Sequence, residues 1–225
     1  MSIIASLLGK KEAAPNPIRE TLFGDLPINA WPTGGEATDS MPWGAFVSAR
    51  LDLQSGNRAD AVVKWRNVLE QPGLEPRHYL QAWHFLRQYD EQPSPDFAKE
   101  VLGVVVEVAL PQGVDLLAAY ADHSARYYNY SGAGVVWEHL DTSLDATIDQ
   151  LLDAAKKVVG QIGPWEKARP APPLRGQARL SFLTPGGLHF GQGPMDALSR
   201  DPLGGRVLQL ATILMQAMIA KTKPR

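Results

Sequence analysis

The chain has 225 residues, of which 44% are hydrophobic and 20% charged, with a formal charge of −2. These proportions are those of a soluble globular protein large enough for one sizeable core, and the near-neutral balance argues against a general nucleic-acid binder, which carries a basic surplus. The lack of cysteine excludes disulfides, thiolate metal sites and cysteine nucleophiles and fits a reducing compartment, so the expected location is the cytoplasm.

Residues 1–42 read as an extended N-terminal segment. Pro15, Pro17, Pro27, Pro32 and Pro42 exclude long helices. Ile3, Ile4, Leu7 and Leu8 offer one short apolar face, suited to a frayed terminus or to docking. The lysines follow this run instead of preceding it, unlike a secretory signal. Leu22, Phe23, Leu26, Ile28 and Trp31 are too apolar for a free linker, and this stretch is expected to wrap irregularly against the folded body.

Residues 43–100 form a helical portion. A first helix is expected over Trp43–Gln54, ending at Ser55-Gly56. A second, over Ala59–Glu70, puts Ala61, Val62, Trp65, Val68 and Leu69 on one face and ends at Pro72-Gly73. Gly56 between the helices, the small Ala61, the aromatic Trp65 and the closing Pro72 make residues 45–72 resemble a tetratricopeptide repeat. The family's first-helix aromatic and Leu-Gly pair are absent. The resemblance implies a helical hairpin of a kind that often serves protein contacts. Further helices at Pro76–Tyr89 and Pro95–Glu100 do not repeat the motif, and because such repeats need about three neighbours, no extended array is expected.

Residues 101–225 read as an α+β core, expected to form one unit with 43–100. Between Val104 and Glu138, four β-rich runs are separated by Pro111-Gln112-Gly113, Asp122-His123-Ser124 and Ser131-Gly132-Ala133-Gly134. Links this short suit an antiparallel meander and are too short for parallel crossovers. Thr142 and Asp145 have capping-box spacing, and Leu144, Ile148, Leu151, Leu152, Ala155, Val159 and Ile162 trace one helical stripe that stops by Gly163-Pro164. Pro164–Gly176 reads as an extended proline-rich connection. A C-terminal hairpin follows, Ala178–Thr184 and Leu188–Gly193 around Pro185-Gly186-Gly187, and then a short helical turn after Pro194. The last helix, Leu203–Ala220, is apolar except for Gln209, Thr212 and Gln216. It is either buried on most sides or part of a homo-oligomer contact. Its apolar run, Val207–Ile219, falls short of the roughly 18 residues a bilayer span requires, so no stable membrane insertion is expected. Strands and helices depart from regular alternation, which disfavours a doubly wound parallel sheet.

Motifs that would name a reaction are missing: no phosphate-binding loop, no dinucleotide glycine fingerprint, no nucleophile elbow and no His-Glu-x-x-His. The five histidines show no ligand spacing along a helix, so no cofactor or metal is expected. His123 beside Asp122 is either a general base or simply part of a tight turn. Glu138-His139 ends the last meander strand; brought near His189 or Asp122 it would form an acid–base set. Strand alternation puts Arg126, Tyr128 and Tyr130 on one face and Ala125, Tyr127 and Asn129 on the other. The first face combines a cation, hydroxyls and flat apolar surface, which suits a contact that is half apolar and half wet. Arg126, Tyr128 and Tyr130 are therefore the candidate binding residues, with His189 in the glycine-rich hairpin as a fourth. The function expected is that of a non-enzymatic interaction or adaptor protein, engaging a protein partner through the helical hairpin and the exposed sheet face. The alternative is a small-molecule-binding or hydrolytic enzyme using the aromatic face and the glycine-rich hairpin.

Overall fold

The computed structural model describes residues 17–31 and 40–222; the apolar run at Ile3–Leu8 lies outside the described residues. Six antiparallel strands form one sheet in the order β4-β3-β2-β1-β5-β6. The first four, β1 (Gly103–Ala109), β2 (Val114–Tyr120), β3 (Ala125–Tyr128) and β4 (Gly134–Trp137), are the meander. The last two, β5 (Gln177–Thr184) and β6 (Gly187–Pro194), are the added hairpin, which joins the meander by pairing β5 with β1. The protein is thus α+β, with an antiparallel meander, a C-terminal hairpin and an N-terminal helical segment. Only Pro185 and Gly186 separate β5 from β6, a tighter link than the three residues the sequence suggests.

Helices cover both faces of the sheet. On one face Val104, Val106, Leu117, Ala119, Ala125, Leu180 and Phe182 pack beneath α5 (Asp145–Val159) and α7 (Gly204–Lys221). The stripe Ile148, Leu151, Leu152, Ala155 and Val159 is buried there, as its helical spacing requires. On the other face Val105, Leu116, Ala118, Tyr120 and Leu183 pack beneath Leu22 and Phe23, which follow the short α1 (Pro17–Glu20), and beneath Leu80 of α4 (Pro76–Arg87). Burial on both sides explains why β1 and β2 read as near-continuous apolar runs. Farther out, α2 (Trp43–Gln54) and α3 (Arg58–Glu70) join α4 in a separate cluster built on Phe46, Trp65 and Phe85.

Two local expectations change. Residues 97–99 form only a 3-10 turn in place of a helix over Pro95–Glu100, because the chain is already extended at Glu100 (φ −64°, ψ 126°) on its way into β1. Thr142 does not cap the next helix. Asp141 takes that role, accepting a hydrogen bond from Ser143 N at 2.8 Å, and 142–144 wind as a 3-10 turn into α5. The short turn after Pro194 is a helix, α6 (Met195–Arg200). Among the described residues no helix is long and apolar enough to cross a membrane.

Residues 17–31 pack into the core and wrap as their apolar side chains suggest. The Tyr120 hydroxyl donates to Leu22 O at 2.8 Å. Gln81 brackets Leu26, accepting from its N–H and donating to its carbonyl, both at 2.9 Å. Gly24 sits in the left-handed region (φ 63°), and a Cβ there would lie 2.5 Å from the Arg77 carbonyl, so only glycine lets the segment lie this close to α4. Leu22→Ala is therefore expected to cost about 2–5 kcal/mol in urea denaturation, as for a core leucine. A loss below about 0.5 kcal/mol, typical of surface positions, would show that the segment is not docked.

Candidate functional site

The face carrying Arg126 is not open to solvent. Arg126 is 8% exposed, and its Nη2 donates to Glu138 at 3.1 Å and to Glu75, just before α4, at 3.3 Å. Its guanidinium also lies over the Tyr120 ring. Arg126 therefore ties β3 to the end of β4 and to the start of α4. Tyr128 shares this face and packs, half-buried, against the same cluster. Ala125 and Tyr127 face α5 and α7, as alternation requires. Tyr130 lies past the end of β3, 52% exposed, with its N–H donating to Asp115 at 2.8 Å. The three residues thus form no open platform, because the 17–31 segment and α4 occupy the face on which they were expected to bind. His189 is not brought near them. It sits on the far edge strand, across from Phe182 and hence toward α5 and α7. It is buried, and burial pushes its pKa down.

On the α4 side of the sheet, at the β5–β6 edge, the described residues enclose a cleft of about 850 Å³. Its walls come from four segments. The N-terminal segment gives Phe23 and Asp25, and α4 gives Leu80, His84 and Arg87. The proline-rich connection gives Trp165 to Arg169, and the hairpin tip gives Thr184 and Gly186 to Leu188. The connection holds its place because Trp165 N–H donates to Leu188 O at 2.6 Å, Trp165 Nε1 donates to Ala168 O at 3.0 Å, and its ring meets Phe190 edge-on. Arg169 donates to Asp25 at 2.7 Å and also to Glu20, while its guanidinium stacks 4.1 Å over Phe23. The hairpin tip is pressed against residue 98: a Cβ on Gly186 would lie 2.5 Å from the Ala98 carbonyl.

The cleft is cationic at its α4 wall. Arg87 donates to the Pro185 carbonyl and has no ion-pair partner among the described residues. Burial pulls its pKa down to about 10, against the opposite pull of Asp25, whose carboxylate is engaged by Arg169. Beside it, burial pushes the His84 imidazole down to about 4, so the ring is neutral at pH 7. The amide nitrogen of Gln88 lies 2.9 Å from His84 Nε2, which therefore accepts. Nη1 of Arg169 is buried with no hydrogen-bond partner among the described residues. The arrangement offers guanidinium donors, a neutral imidazole and the flat surface of Trp165, which is suited to an anionic group joined to an apolar body.

Neither His84 nor Arg87 of the cleft's α4 wall stands out in the sequence. The signal was present: Leu80, His84 and Arg87 fall at helical spacing on one face, and a histidine and an arginine on the otherwise apolar side of a core helix imply either burial with a partner or a ligand.

Burial lowers the pKa of His78, His84 and His189 alike. The unfolded chain then binds more protons than the folded one below the usual histidine value of about 6.5, so stability is lost as pH falls from there toward 4. The urea midpoint is expected to drop between pH 7 and pH 5, and less steeply in His84→Gln. This window lies above the usual 4.5 of Glu20 and Glu75, whose lowered pKa values remove stability only at more acid pH. A midpoint constant from pH 7 to 5 would contradict the neutral burial of these rings. Comparison with protein families, with curated proteins and with solved structures found no match for this chain.

Proposed function

We propose that the protein binds a small molecule bearing a carboxylate or phosphate group, held in the cleft between the 17–31 segment, α4, the Trp165–Arg169 stretch and the β5–β6 hairpin. The observation that carries this reading is Arg87: a half-buried guanidinium at the cleft wall whose one hydrogen-bond partner among the described residues is a backbone carbonyl. Structural arginines elsewhere in the chain, such as Arg126 and Arg179, are matched by carboxylates. An anion arriving at Arg87 supplies the missing countercharge in a partly desolvated place, where a charge-assisted hydrogen bond is stronger than in water. Trp165, partly exposed at the cleft, gives the apolar part of the ligand a surface to lie on. The chemistry proposed is that of binding and orientation, with His84 held by Gln88. The lack of cysteine supports a cytoplasmic setting for this activity.

A protein partner is a second reading, favoured by one observation. Along α3 a groove of about 650 Å³ runs between Arg58, Val62, Val63 and Tyr89, with Val63 half exposed. The tetratricopeptide-like hairpin supports this reading, in which the chain acts as an adaptor. The cleft is the stronger candidate because it combines enclosure with an unmatched charge.

In a thermal-shift screen of mono- and dicarboxylates and phosphate monoesters against the full chain, at least one compound is expected to raise the melting temperature in proportion to ligand concentration. Arg87→Gln is expected to weaken that compound roughly tenfold to a hundredfold, the worth of one hydrogen bond to a charged group. No stabilisation by any anion, or unchanged affinity in Arg87→Gln, would contradict the proposal.

A further inference from the structure

Toward the opposite edge of the sheet from the cleft, and on the face covered by α5, two histidines and two aspartates from three separate segments converge. His123 is in the β2–β3 turn, His139 follows β4, and Asp145 and Asp149 stand one turn apart at the start of α5. The meander dictates the first pairing: Ala125 lies opposite Trp137, so two residues back and two residues on bring His123 and His139 together, with ring centroids 5.2 Å apart. One ligand atom each from His123, His139 and Asp145 lies within 4.8 Å of the others. Donors around one ion at about 2.0–2.2 Å stand roughly 3–3.5 Å from one another, so small side-chain adjustments close the set.

Three further observations point to a ligand at this place. Among the described residues only three non-glycine residues have positive φ, and two of them are His123 (φ 62°) and His139 (φ 52°). Such conformations are uncommon for side-chain-bearing residues and cluster where geometry serves a function. Asp145 Oδ1 is buried without a hydrogen-bond donor among the described residues: His139 Nε2 is 3.1 Å away but outside hydrogen-bonding geometry, and is directed instead to Oδ2 at 3.2 Å. No Lys or Arg among the described residues pairs with Asp145 or Asp149; their charged-pair contacts are His139 and His123. Lys221, the nearby cation, is taken by Asp141, Ser143 and the Trp137 ring. The roughly half positive charge at the N-terminus of α5 disfavours a cation, but two carboxylates outweigh it.

We propose that His123, His139 and Asp145 ligate a single transition-metal dication of the zinc class. Asp149, 2.9 Å from His123 Nε2, orients that imidazole. Two imidazoles with a carboxylate select zinc, cobalt, nickel or iron over calcium and magnesium, which take all-oxygen sets. Three protein ligands leave a coordination position open to water. The ion clips together the β2–β3 turn, the β4 exit and the start of α5.

The test is titration of the untagged, chelator-treated full chain with zinc chloride by calorimetry and with cobalt chloride by visible absorption. One equivalent is expected to bind. His123→Gln and His139→Gln are each expected to weaken binding at least a hundredfold, and Asp149→Asn by roughly tenfold to a hundredfold. Circular dichroism without metal checks that the variants fold. A second readout needs no variant: on adding zinc to the unmodified chain, the imidazole nitrogen resonances of His123 and His139 shift, and those of the other three of the five histidines do not. No bound metal, binding unchanged in the double histidine variant, or shifts confined to other histidines would each overturn the proposal.

Discussion

A carboxylate with no solvent exposure, Glu107 in the middle of β1, holds together the side of the sheet that faces the 17–31 segment. Arg19 Nε donates to its Oε1 at 2.6 Å, and Arg179 Nη1 donates to its Oε2 at 3.3 Å. Both guanidiniums also donate to the Pro170 carbonyl, at 3.0 and 3.1 Å, and Arg179 reaches Ala171 O at 2.7 Å. The N-terminal segment, the central strand and the proline-rich connection therefore meet at one side chain. Arg169, bound to Asp25 and Glu20, extends the network to the cleft. Arg19, Arg169 and Arg179 against Glu20, Asp25 and Glu107 sum to zero charge. A buried ionic set like this adds little stability over apolar residues of the same volume, yet loss of one partner costs about 3–5 kcal/mol. Burial of Leu22, Phe23 and their neighbours supplies the attraction; the ionic set fixes where the two segments lie.

That placement determines which surfaces are free. Once the 17–31 segment and α4 are fixed over β1 and β2, the Arg126–Tyr128 side of β3 becomes an internal joint, and Arg126 is matched by Glu75 and Glu138. Phe23 to Asp25 and Pro27 of the same segment line the cleft together with α4 and the Trp165–Arg169 stretch, and Arg87 there has no carboxylate partner among the described residues. The histidine–aspartate cluster depends on other restraints, the meander register and the start of α5, and would persist if the Glu107 network were loosened.

Much of the fold was legible because local chemistry and packing agree. Short glycine-containing links required antiparallel neighbours, and the Ile148–Val159 stripe gave α5 its buried face. The wrapping of Leu22 to Trp31 followed from apolarity alone. The exposed sheet face was misjudged for a physical reason: alternation gives the side to which Arg126 points, but not what lies on that side, which depends on a contact between β1 and residues 19–23 far away in the chain. A clue was available in Val104-Val105-Val106-Glu107-Val108, where a lone carboxylate in a strand buried on both faces demands a cationic partner. The approach of His123 to His139 was also readable from the hairpin register, because the two positions are equidistant from the paired Ala125 and Trp137. The α4 wall of the cleft was not, since His84 and Arg87 acquire meaning only when Pro185 and the Trp165 stretch close around them.

Native-state hydrogen exchange on Glu107→Gln tests most directly whether this carboxylate anchors the segments. The substitution keeps the shape and removes the charge that Arg19 and Arg179 share. If Glu107 is the anchor, the amides of Thr21, Leu22 and Leu26 exchange roughly a hundredfold faster, corresponding to about 3 kcal/mol, while those of Val104 to Val106 stay comparatively protected. Unchanged protection at Thr21, Leu22 and Leu26, or an equal loss across segment and sheet, would contradict it.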